Sequence, residues 1–172
     1  MIFHSIYIQP LKTIIVLIVL ILFVWTIAAV CFQNHKRLWR VINGILTVLF
    51  LIAILYATII KREADSSHTS PFIRTIEHIR KQPELIREMV MNAFLFFPFG
   101  LTAPYVMESL PCVKNMRPVL ITILSALLLS SSIELIQYLF NFGNCELSDI
   151  VMNTLGAAIG SVSYLVSRKL RR

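Results

Sequence analysis

Thr13 to Asn34 is a run of 22 residues without a single charge, and four comparable runs follow it. They are Val41–Ile60 (20 residues), Met89–Met107 (19), Pro118 to about Phe140 with Glu134 as its one charge, and Ile150–Ser167 (18). A helix needs roughly 20 apolar residues to cross a bilayer. Inside lipid a segment must satisfy its own backbone groups, so each run is expected to be helical. Composition agrees: 57% of the chain is hydrophobic and 15% charged, against roughly a half and a quarter in a soluble domain. The expected fold is an all-α, polytopic membrane bundle of about five spanning helices.

The first run competes with a cleaved signal peptide, whose apolar core is only about 7–15 residues and follows basic residues. Here the core is longer and the basic cluster His35-Lys36-Arg37 comes after it, so a retained span is expected. This divides the chain into residues 1–40, a first helix with a basic loop, and residues 41–172, a four-helix membrane domain. Residues 61–88 are the one long hydrophilic segment. Within it Ser70-Pro71 has the form of an N-cap and N1 proline. Phe72, Ile73, Ile76 and Ile79 then recur at helical spacing opposite Arg74, Glu77, Arg80 and Lys81. The pattern predicts a short amphipathic helix on the membrane surface; the alternative is an ordinary solvated linker.

The net charge of +7 reads as loop topology, because lysines and arginines in short loops stay cytoplasmic. With the carboxyl terminus inside, the short inner segments hold nine basic residues and the short outer segments one, Lys12. Six more lie in residues 61–88 beside five acids. The expected orientation in the cell membrane is an external amino terminus and a cytoplasmic carboxyl terminus. No basic run interleaves with aromatics, so nucleic acid is not an expected partner; the lipid bilayer is. Cys31, Cys112 and Cys145 show no CxxC or Cys/His spacing. They are expected to be buried thiols, with no metal and no cofactor.

In that orientation the unusual polar residues share one depth, near the outer face. Ser130, Glu134, Gln137 and Asn141 line one face of the fourth helix. Asp149, Asn153, Gly156 and Gly160 line one face of the fifth, and Asn92 joins them from the outer half of the third. Asn92 and Asn153 have an ordinary explanation as interhelical bonders, worth about 0.6 kcal/mol each. Asp149 has one as an N-cap. Glu134 is harder to dismiss, since a carboxylate at membrane depth needs a cation, a proton or a ligand. Arg62 and Arg87 flank the second and third spans on the same side and are its candidate cations. Gly156 and Gly160 form a small-xxx-small packing face, while Pro98 and Pro104 interrupt the third helix.

Three segments, NAFLFFPFG at 92–100, SSSIELIQ at 130–137 and ELSDIVMNTLGAAIG at 146–160, occur in the order found in the VanZ-like membrane protein family. YATIIKR at 56–62 is similar to the end of that family's preceding helix. The resemblance covers about Tyr56 to Tyr164 and leaves the first helix outside its best-matched part. It picks out Asn92, Phe96, Pro98, Gly100, Ser130, Glu134, Gln137, Asp149, Asn153 and Gly156. Where the family often carries a basic residue before an acidic loop, this chain reads FGNCELSD, with Glu146 where aspartate is common. The resemblance implies an integral membrane protein of the cell envelope, related to the teicoplanin-resistance protein of glycopeptide-resistance clusters. It implies no particular chemistry.

Three readings follow. A non-enzymatic protein would use Asn92, Ser130, Glu134, Gln137, Asp149 and Asn153 to bind an envelope lipid or cell-wall precursor, lowering susceptibility to teicoplanin-type glycopeptides. A membrane-embedded enzyme on a lipid-linked substrate would use Glu134 and Asp149 as acid and base. No histidine falls in the matched segments: the four are His4, His35, His68 and His78. A small proton-coupled exporter would use Glu134 as carrier, but no inverted repeat is visible.

Overall fold

The computed structural model describes residues 2–60, 83–110, 113, 118–140 and 147–170. Five helices carry the chain: α1 (Ile2–Cys31), α2 (Lys36–Leu55), α3 (Pro83–Met107), α4 (Pro118–Leu139) and α5 (Leu147–Leu170). A 3-10 turn, Phe32–His35, joins α1 to α2, and a π turn, Tyr56–Ile60, extends α2. Lys36–Thr58, Met89–Met107, Pro118–Leu139 and Leu147–Leu170 are each long and apolar enough to cross a membrane, and Val16–Cys31 is a shorter apolar helix. The protein is a multi-pass, all-α membrane protein. Residues 71–81, where the surface helix is expected, lie outside the described residues.

The bundle is organised on α3, which touches all four other helices and shares its largest interface with α5. These two run parallel, and three glycines let their backbones approach closely. A Cβ on Gly156 would strike the backbone of Ala93, one on Gly160 that of Phe97, and one on Gly100 that of Ala157. With no hydrophobic force between helices in lipid, such close approach is what dispersion and polar contacts need.

Proline decides where that interface is polar. Pro104 has no N–H to give the Gly100 carbonyl four residues back. Ser161 Oγ, fully buried on α5, reaches that carbonyl at 3.2 Å while also bonding Ala157 O at 2.8 Å. On the opposite side of α3, Thr47 of α2 donates to Thr102 Oγ1 (2.9 Å), which in turn reaches the Pro98 carbonyl (3.1 Å). The carbonyl that Pro104 leaves without a donor is thus taken up by a hydroxyl from α5, as membrane helices require.

α2 is antiparallel to α3, and α4 is antiparallel to both α3 and α5. One end of the bundle therefore collects the end of α2, the start of α3, the end of α4 and the start of α5. The other end is aromatic. Trp39 packs on Trp25 and Phe32 at 5.4 Å each and on Tyr105 at 5.6 Å, and Tyr105 meets Tyr164 edge-on at 5.2 Å. Tyr105 Oη lies 3.0 Å from Ser167 Oγ. Between the ends, Phe96, Phe99, Ala103, Ala126, Ile133, Ala157 and Ile54 form an apolar core.

Two sequence expectations shift. α5 begins at Leu147, so Asp149 lies inside its first turn rather than ahead of the span. Cys31 is exposed, not buried: it is the last residue of α1, at the turn into α2, where none of the described helices covers it. Cys112 and Cys145 lie outside the described residues.

Candidate functional site

The polar end is built from α4 outward. Ser130, Glu134 and Gln137 fall on one helical face and that face is inward: Ser130 and Gln137 are fully buried and Glu134 is 2% exposed. Lipid-facing neighbours such as Leu135 and Tyr138 are exposed, so the sidedness of α4 is sharp despite its nearly uniform apolarity.

Two long-range hydrogen bonds position this face. Asn153 Nδ2 of α5 donates to Ser130 Oγ at 2.9 Å. Gln137 Nε2 donates to the carbonyl of Thr58 at 2.8 Å. Thr58 lies in the π turn Tyr56–Ile60 that follows α2, so Gln137 ties that turn to α4 across 79 residues of sequence. π turns are frequent at functional sites.

The Ser130–Asn153 pair also fixes register. α4 and α5 are antiparallel, so a step of four residues along each, toward the same end, leads to Glu134 and Asp149. Residues four apart are neighbours on a helix surface; the two carboxylates thus occupy the adjoining turn. Asp149 is half-buried in the first turn of α5, where the helix dipole favours negative charge. Both carboxylates engage in polar interactions within the fold. Asn153 is 4% exposed, yet its Oδ1 has no hydrogen-bond partner among the described residues. A buried amide oxygen left unpaired costs roughly 1–3 kcal/mol.

The remaining sequence candidates fall as follows. Asn92 is half-buried near the start of α3, one turn before the fully buried Phe96. Arg87 is exposed at the same end. Arg62, Asn141 and Glu146 lie outside the described residues. Gly100, Gly156 and Gly160 sit where α3 and α5 cross, with Gly156 one turn along α5 from Asn153, and Pro98 lies within α3. His35 lies at the opposite end of the bundle. Among the described residues no group of three or more His, Cys, Asp or Glu side chains could hold a metal ion.

Sequence reasoning missed Thr58, Thr47, Thr102 and Ser161. For Ser161 a signal existed: Pro104 leaves the Gly100 carbonyl without its donor, so a hydroxyl from a neighbouring helix had to be sought. For Thr58 there was none, because its backbone rather than its side chain is used.

Fold and site together define a multi-pass helical membrane protein with an ionisable group buried at one end of its bundle. The VanZ/LLP1 family matches residues 13–168, from α1 to the last turns of α5, and the chain belongs to that family. It is similar to Protein VanZ of Enterococcus faecium, 24% identical over 140 residues that cover 76% of this chain and 78% of that protein. No solved structure matches the chain.

Proposed function

We propose that this protein is a non-enzymatic component of the cell membrane whose polar end faces outward and binds an envelope lipid or cell-wall precursor. By occupying or screening that molecule it lowers access of lipid-anchored glycopeptides of the teicoplanin type. The observation that carries the reading is the unpaired Oδ1 of buried Asn153, on the turn beside Glu134 and Asp149. A membrane protein that served packing alone would place leucine at these positions, since ionisable groups at membrane depth cost a few kcal/mol. The unpaired oxygen is an acceptor, so the fitting ligand brings hydroxyl, amide or amine donors.

Orientation follows from charge. Lys36, Arg37, Arg40, Arg168 and Lys169 all lie at the aromatic end, and basic residues hold short loops in the cytoplasm. This puts the amino terminus outside, the carboxyl terminus inside and the polar end outward.

The deciding experiment expresses the protein and its Glu134→Gln and Asp149→Asn variants at equal membrane abundance in a teicoplanin-susceptible host. The wild type should raise the inhibitory concentration and the variants should not. Unaltered protection by the variants overturns the site; no protection by the wild type overturns the resistance reading.

A further inference from the structure

A second site sits at the opposite end of the bundle, in the turn between α1 and α2. Asn34, His35, Lys36, Arg37, Leu38 and Val41, all exposed, line an open surface cavity of about 500 Å³. The lining holds two full cations and no acid. α2 starts here, and His35 at its N-cap makes no side-chain hydrogen bond to the first turn. The positive dipole end of a 20-residue helix lies at this turn and favours an anion there.

What distinguishes this cavity from a general anion site is its apolar floor. Leu38 and Val41, both 51% exposed, begin a stripe that continues through Ile45, Leu49 and Ile52 at helical spacing down the outer face of α2. Lying between two apolar helices, the turn is at the membrane–water boundary. A free anion would use only the cations and the helix dipole; a lipid would use the stripe as well. We infer that the α1–α2 turn binds the phosphate of an anionic phospholipid, with one acyl chain lying along Leu38, Val41 and Ile45. The site is independent of the polar end and of the function proposed for it.

The chain carries its own reporter. Its two tryptophans, Trp25 and Trp39, both belong to the aromatic cluster beside this turn. Full-length protein in phosphatidylcholine vesicles is titrated with acyl-brominated phosphatidylglycerol or, separately, acyl-brominated phosphatidylcholine, and tryptophan quenching is followed. Brominated phosphatidylglycerol should quench at lower mole fraction. That preference should fall about fivefold for each charge removed in Lys36→Gln and Arg37→Gln and survive Arg168→Gln with Lys169→Gln. Equal quenching by both lipids overturns the proposal. So does equal loss in both double variants, which would reveal diffuse surface charge, and so does displacement by millimolar inorganic phosphate, which would reveal a free-anion site.

Discussion

The two ends of this bundle hold the same helices together by different means. At the aromatic end, Trp25, Trp39, Tyr105 and Tyr164 interlock by ring packing, with Tyr105 and Ser167 as a polar tie. At the polar end, Asn153 donates to the Ser130 hydroxyl and Gln137 to the Thr58 carbonyl, with buried Glu134 between Ser130 and Gln137 on α4. The aromatic end leaves the indole N–H groups of Trp25 and Trp39 without a hydrogen-bond partner among the described residues, but these are neutral groups in a ring cluster, and Trp and Tyr are expected near the interface. The polar end buries the Glu134 carboxyl, which packing does not require. The contrast separates residues that hold the fold from residues the fold holds.

That separation can be broken or sharpened experimentally. The largest effect is expected at the crossing both ends depend on. Gly156→Ala places a methyl group on the Ala93 backbone and should destabilise by about 3 kcal/mol or more, seen as loss of the monodisperse peak after mild heating in detergent. Trp39→Ala should come next. It removes three ring pairs at about 0.5–1.5 kcal/mol each, so a loss of about 2–3 kcal/mol is expected in denaturant titrations, with function retained in proportion to folded protein. Glu134→Gln should do the reverse: stability within about 1 kcal/mol of wild type, since the amide keeps the size and hydrogen-bonding capacity of the carboxyl and is less costly at membrane depth, while glycopeptide protection disappears. A stability loss as large as that of Trp39→Ala would move Glu134 among the structural residues and erase the contrast. Asn153→Ala should be mildest in stability: it loses about 0.6 kcal/mol for its single interhelical bond but also removes the unpaired oxygen, so stability should equal or exceed wild type.

Orientation offers a separate check through the native cysteines. A membrane-impermeant maleimide should label a variant retaining only Cys145, between α4 and α5, in intact cells. One retaining only Cys31, at the aromatic end, should label only after permeabilisation. The opposite pattern would turn the polar end inward.

Much of the fold is legible from the chain alone because lipid imposes a harsh rule: uncharged runs of 18 to 22 residues must become helices that satisfy their own backbones. The glycine spacing at Gly156 and Gly160 likewise announces a close helix crossing, although not which helix crosses there. Glu134 stands out by cost alone. The burial of Ser130, Glu134 and Gln137 on one face follows a spacing of four and three residues that any helix would give.

What the sequence could not determine is partner choice. Nothing in local propensity says that Gln137 reaches the Thr58 carbonyl, that Asn153 meets Ser130, or that Ser161 replaces the donor Pro104 lacks. Each contact depends on which faces of nearly uniform apolar helices turn inward, and lipid-facing and protein-facing leucines look alike in sequence. The aromatic cluster is invisible for the same reason: Trp39, Tyr105 and Tyr164 are far apart along the chain and meet only because α2, α3 and α5 are packed in register. The sequence by itself determined that this chain spans a membrane and carries a costly carboxylate. Only the tertiary structure decided that this carboxylate lies one turn from an unpaired amide oxygen, because that juxtaposition depends on the register of α4 against α5, set by packing across the whole bundle.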